Sequence, residues 1–205
     1  MILQDTLDTI SEAAKSTSLM EWLAIITALL YVVLAAKENA WCWLFGIISA
    51  GLYTGINFSI KLYLDAWLSV YYCAVGIYGW YIWVKKIPQK NNGGSLIHIS
   101  LKQFCISTGA GIAGTFLLGF LSDNFTDSPL PYFDAALTSF SLVATFLTTQ
   151  KILENWIFWV VIDASYILIY WNRALPFTAV LFLIYTFVAA YGYIKWRKKL
   201  NPSGG

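Results

Sequence analysis

Long apolar runs separated by short polar breaks set the pattern of this chain. The runs cover roughly 20–36, 40–58, 62–84, 102–121, 132–149, 155–171 and 175–196. A bilayer core takes about 20 apolar residues per helix, so each run is read as one membrane span. The breaks are Lys37-Glu38-Asn39, Ser59 to Lys61, Gln150 to Glu154 and Asn172-Arg173. Two longer loops follow the third and fourth spans, at 85–101 and 122–131, and both carry Pro and Asn turn signals. Residues 1–19 hold Asp5, Asp8 and Glu12 and lack a basic stretch ahead of an apolar core, so they read as no cleavable signal peptide. A short amphipathic helix on the membrane surface is expected there. The predicted fold class is an all-α integral membrane protein with seven transmembrane helices.

Composition agrees with this pattern. Of the 205 residues, 59% are hydrophobic and only 12% are charged, against about 25% charged in an ordinary soluble domain. The net charge of +2 gives no reason to expect nucleic acid as a partner. Placement is more telling than the sum. With seven spans, one face collects Lys37, Lys85, Lys86, Lys90, Lys102, Lys151, Lys195, Arg197, Lys198 and Lys199. The other face has Lys15, Lys61 and Arg173, together with Asp5, Asp8, Glu12, Glu21, Asp123, Asp127 and Asp134. The positive-inside rule makes the first face cytoplasmic, with the N-terminus outside and the C-terminus inside. Cys42, Cys73 and Cys105 all fall in apolar runs without metal-site spacing and read as small buried hydrophobes.

The chain also repeats itself. The stretch 61–86 aligns without gaps on 174–199: Leu62 falls on Leu175, Tyr72 on Tyr185, Tyr78-Gly79 on Tyr191-Gly192, Trp83 on Trp196, and Lys85-Lys86 on Lys198-Lys199. One helix earlier, ENAWCW (38–43) echoes ENWIFW (154–159) once a small gap is allowed. The expected division is an extracytoplasmic segment 1–19, a first three-helix bundle 20–84, a cytoplasmic loop 85–101, a linker helix 102–121, an outer loop 122–131, a second bundle 132–196 and a cytoplasmic tail 197–205. Parallel repeats about an axis along the membrane normal are a transporter architecture, with substrate at the repeat interface near the midplane.

The candidate chemistry lies in span 6. Trp156, Trp159 and Asp163 stand at i, i+3 and i+7, on one helical face, and Tyr166 continues the stripe. An ionised side chain at mid-bilayer costs roughly 2.5–3.5 kcal/mol on insertion scales. A water-filled cavity and a visiting cation would justify that cost, and flat aromatic faces suit the same cation. The competing readings are that Trp156 belongs to an interfacial belt and that Asp163 pairs with a neighbouring hydroxyl or amide. Ser69, Tyr72, Tyr53, Asn57 and Trp43 are candidates for the opposing wall, because spans 2 and 3 mirror spans 6 and 7. Gly51, Gly55, Gly76 and Gly79 read as hinges or as close helix packing. No nucleophile–base pair, metal triad or GxSxG or HExxH motif occurs, so an enzyme is not expected, nor a metal or cofactor. His98 sits in the cytoplasmic loop.

The motif W-x-x-W-x-x-x-[N/D], filled by Trp156, Trp159 and Asp163 and preceded by Glu154-Asn155, resembles the signature of the PnuC family of bacterial vitamin transporters. YFDAALTSFSLVATFLTTQKILENW and IYGWYIW support the resemblance, which spans roughly 20–198. It implies two three-helix bundles joined by a central helix, similar to sugar facilitators of the SWEET type. It also implies facilitated diffusion of an unphosphorylated vitamin across the bacterial inner membrane, and trapping by a cytoplasmic vitamin kinase. Nicotinamide riboside members carry Gln, and often Asn, where this chain has Ser69 and Gly76. The resemblance therefore points to thiamine ahead of nicotinamide riboside. Oligomeric state is left open, a homo-oligomer included.

Overall fold

The computed structural model describes residues 2–59, 63–86, 96–126, 128–173 and 175–201. These form eight α-helices: α1 (Ile2–Ser16), α2 (Leu19–Ala36), α3 (Cys42–Ser59), α4 (Tyr63–Tyr81), α5 (Leu101–Phe125), α6 (Pro131–Thr149), α7 (Asn155–Asn172) and α8 (Pro176–Leu200). A π-helical turn, Ile82–Lys86, extends α4. Within the segment 1–19, Ile2–Ser16 form a helix that packs on α8. The spans at 102–121 and 175–196 run a few residues longer than expected, as α5 and α8. Lys61, Lys90 and Asp127 lie outside the described residues. Four helices, α2, α3, α5 and α8, are long and apolar enough to cross a membrane.

Local sequence sets the helix starts. Ser18 and Ser100 begin α2 and α5 with capping boxes closed by Glu21 and Gln103. Pro131 and Pro176 occupy the first turns of α6 and α8, where a missing N–H costs nothing. Both α2 and α6 stop at a non-glycine residue in the left-handed region, Glu38 (φ 55) and Lys151 (φ 54). The reversed turns are closed by Asn39 N–H to the Leu34 carbonyl at 2.9 Å and Ile152 N–H to the Leu147 carbonyl at 3.1 Å.

Those paired turns correct the repeat alignment. Glu38 corresponds to Lys151, Trp43 to Trp156 and Trp83 to Trp196, all at one offset of 113 residues (156 less 43). No gap is needed, and ENAWCW is not in register with ENWIFW. The packing follows the same symmetry. Helices α2, α3, α4, α6, α7 and α8 contact one another in that cyclic order and close where α8 meets α2. Helix α5 lies against α6. Across the halves, the Trp83 indole N–H donates to the Thr149 carbonyl (3.1 Å) and the Trp196 indole N–H donates to the Ala36 carbonyl (3.2 Å). Thr149 and Ala36 are themselves 113 apart, so the two bonds are one contact made twice, as a two-fold relation demands.

The apolar core gathers at the end where α2 and α6 stop. It joins Cys42, Trp43, Trp83, Trp156 and Trp196, all almost fully buried. Cys73 is half-buried and Cys105 is exposed on α5, so only Cys42 is a fully buried hydrophobe.

Candidate functional site

The α7 stripe faces inward. Asp163 is 6% exposed. Its carboxyl has no hydrogen bond or ion pair among the described residues, although α7 packs between α6 and α8. It borders a cavity of about 160 Å³ lined also by Trp156, Trp159, Tyr31, Thr148, Phe182 and Tyr185. The alternative pairing with a neighbouring hydroxyl is therefore not what the structure contains. A buried polar group without a partner costs about 1–3 kcal/mol; an open cavity at its side is where a partner fits.

A second cavity, about 250 Å³, lies next to the first. Trp43, Tyr53, Ser69, Tyr72, Gly76 and Thr145 help to line it, and Tyr31 and Trp159 border both. The two cavities adjoin at these shared residues, as two lobes on either side of Trp159. Their linings are related by the same offset: Trp156 and Trp43, Tyr185 and Tyr72, Ala189 and Gly76 stand in matching places. Four pairs differ in chemistry. Val32, Trp159, Asp163 and Phe182 in one lobe correspond to Thr145, Gly46, Ala50 and Ser69 in the other.

The two tryptophans of the motif play different parts. Trp156 is 2% exposed. Its ring lies on Gly192, where an added Cβ would stand 2.7 Å from Cε2, and meets Trp196 edge-on at 5.3 Å. Trp43 lies on Gly79 in the same way, at 2.5 Å. These glycines are close-packing positions, as is Gly76 against Ile47, while Gly51 and Gly55 face open space. Trp156 is thus a floor, and no interfacial belt. Trp159 is half-buried and stands between the lobes.

Of the residues singled out from sequence, Trp156, Trp159 and Asp163 meet at one lobe, and Trp43, Tyr53, Ser69 and Tyr72 at the other. Tyr166 and Asn57 are in neither lining. Tyr166 lies against Phe182 at 4.7 Å in a tilted pair and stacks on Tyr170 at 5.9 Å. Sequence reasoning missed Phe182 and Tyr185, although both are one offset away from Ser69 and Tyr72. Tyr31 left no such signal, because its counterpart is Ala144. Hydroxyls on α6 were also missed. Ser141 and Thr145 bond carbonyls one turn back at 2.8 Å, so they are buried without being left unsatisfied.

The residues leading into α7 fix its start. Asn155 is 0% exposed and bonds the Ile152 carbonyl, and its Oδ1 lies 3.0 Å from the Thr148 hydroxyl. Glu154 accepts from the Ile99 N–H at 2.8 Å and meets His98 Nδ1 at 2.9 Å. His98 therefore straps the loop to this turn. Nearby, burial lowers the Lys151 ammonium below the ordinary lysine pKa, and Glu38 opposes that shift. At the opposite end of the helices, Asp134 meets Ser128 at 2.8 Å and Arg173 at 3.5 Å.

A family model described as nicotinamide mononucleotide transporter matches residues 18–198. The chain belongs to this family, the PnuC transporters. It is similar to the nicotinamide riboside transporter PnuC of Escherichia coli, at 26% identity over 212 residues, covering 91% of this chain and 88% of the relative. The protein of the same name from Neisseria mucosa is also 26% identical, over 90% of this chain and 75% of its own. The crystal structure of the vitamin B3 transporter PnuC matches with a TM-score of 0.73 and 25% identity, over 96% of this chain and 90% of that one. This PnuC-family chain is a multi-pass membrane transporter, not an enzyme.

Proposed function

We propose that the chain takes up an unphosphorylated cationic vitamin precursor of the nicotinamide riboside class by facilitated diffusion. The observation that carries this reading is Asp163: a buried carboxyl with no hydrogen bond or ion pair among the described residues, facing a cavity walled by Trp159 and Phe182. A pyridinium ring would place its charge by the acid and its faces on the aromatic rings. Ser69, Thr145 and Tyr72 in the adjoining lobe would receive the hydroxylated remainder. The names of the relatives support this class of substrate.

The rest of the reading follows from the charge pattern, the repeat and the resemblance to the family. Seven helices, α2 to α8, span the bacterial inner membrane as three plus one plus three, in a SWEET-like arrangement with α5 as linker. The basic end is cytoplasmic, the N-terminus is outside, and a separate kinase traps the product. With one acid in the two linings and no relay partner, transport is uniport.

A second reading is thiamine. It is favoured by the small Ser69 side chain in the larger of the two lobes. Titration of the purified protein with each vitamin, followed by tryptophan quenching, decides between them. Asp163→Asn is expected to weaken binding of either cation at least tenfold, about 1.4 kcal/mol. Equal affinity in wild type and variant would sink the charge-pairing reading. Uptake into proteoliposomes clamped at zero membrane potential that is driven by an imposed proton gradient would refute uniport.

A further inference from the structure

Beneath the chamber, four indoles cross the molecule in an unbroken chain. Trp43 meets Trp83 at 5.5 Å, Trp83 meets Trp196 at 6.3 Å, and Trp196 meets Trp156 at 5.3 Å. All four are at most 6% exposed. The contacts fall into two kinds. Trp43 on Gly79 and Trp156 on Gly192 join helices within one repeat. Trp83 to the Thr149 carbonyl, Trp196 to the Ala36 carbonyl, and Trp83 against Trp196 join one repeat to the other. The two left-handed turns sit at the same place and add charge. Lys151 reaches Glu38 at 4.0 Å and lies 4.6 Å over the Trp83 ring, and Lys199 holds Glu38 at 2.9 Å.

We propose that this four-indole plug is the gate at the basic end of the chamber, and that Trp83 and Trp196 are the positioning residues that hold it shut. The proposal rests on the transporter reading but not on which vitamin is carried. Contacts within a repeat travel with that repeat as a rigid body. Contacts between repeats must break if the halves separate there. The plug has its weak plane between Trp83 and Trp196, where two indole–carbonyl bonds, the ion pairs of Glu38 with Lys151 and Lys199, and the Lys151 ammonium over the Trp83 ring are the ties. Replacing each indole by a phenyl ring removes the two indole–carbonyl bonds and keeps an apolar ring in each place.

Cys42 gives a native reporter. It begins α3 next to Trp43, is a free thiol and is 0% exposed. In a Cys73→Ser/Cys105→Ser background, a membrane-impermeant maleimide applied to the basic side of sealed vesicles should label Cys42 slowly. Trp83→Phe/Trp196→Phe is expected to speed labelling at least fivefold, with no vitamin present. Glu38→Lys is expected to speed it as well, and Glu38→Lys/Lys151→Glu/Lys199→Glu to return it towards the starting rate by restoring both pairs. A surface control, Lys195→Ala, should leave the rate unchanged. Unchanged labelling in the Phe pair overturns the gate, as does an equal rise in the control. If the Phe pair does not fold, the Glu38 and Lys151 variants alone carry the test. Because no substrate is used, a failed gate and a failed substrate assignment give different results.

Discussion

The lobe bordered by α7 and α8 and the lobe bordered by α3 and α4 stand on the same scaffold and offer a ligand different chemistry. Trp156 and Trp43 lie on Gly192 and Gly79 in matching poses, and Tyr185 and Tyr72 line matching walls. Over that scaffold one lobe sets Trp159, Asp163 and Phe182 where the other sets Gly46, Ala50 and Ser69. A chamber with true two-fold symmetry would accept an asymmetric ligand in two equivalent poses. Breaking the symmetry at these pairs while keeping it at the floor would leave one pose favoured. On the proposed reading, positions which match across the repeats serve packing, and positions which differ are the ones placed to select the ligand.

The largest expected effect probes the shared scaffold. Trp156→Ala and Trp43→Ala should each cost about 3–5 kcal/mol, as large aromatic-to-Ala changes do, read as comparable drops in the melting transition in detergent. A loss confined to one of them would break the equivalence of the two floors. Next comes the charge. Adding Ala50→Asp to Asp163→Asn moves the acid to the matching place in the other lobe, and should recover cation affinity to within about threefold of wild type, or ~0.7 kcal/mol. A titration in which the double variant binds no better than Asp163→Asn would show that the lobes are not interchangeable.

A smaller effect belongs to the aromatic wall. Phe182→Leu keeps the apolar volume and removes the ring face, so cation affinity should fall by about 0.5–1 kcal/mol, while a neutral flat vitamin loses less. Equal losses for both would assign Phe182 to packing. The smallest effect is at the gate's edge. Lys199→Ala removes a half-exposed ion pair to Glu38, which is expected to shift the melting transition by no more than ~0.2–1 kcal/mol.

Much of this was legible in the sequence because membrane chains declare themselves by period and charge. Apolar runs gave the helices to within a few residues, and the amphipathic stretch before Ser18 is helical as its pattern suggested. The stripe of Trp156, Trp159 and Asp163 was readable because helical spacing alone puts them on one face. The alignment of 61–86 on 174–199 was readable too. Its extension was misread, because ENAWCW and ENWIFW share letters at an offset three residues away from the structural one. Identical letters outweighed a match between Glu38 and Lys151 that only backbone conformation reveals. The same offset would have found Phe182 and Tyr185.

What the sequence settled by itself, then, was the number and run of the helices, their repetition, and the face on which an acid and two indoles stand. Those follow from local geometry and from the need to satisfy every backbone polar group inside a bilayer. Which wall Tyr31 joins, which tryptophan is floor and which is partition, and the reciprocal bonds of Trp83 and Trp196 were decided only by how the halves pack. Such contacts join residues more than sixty positions apart, and no rule of spacing along one helix reaches across that distance.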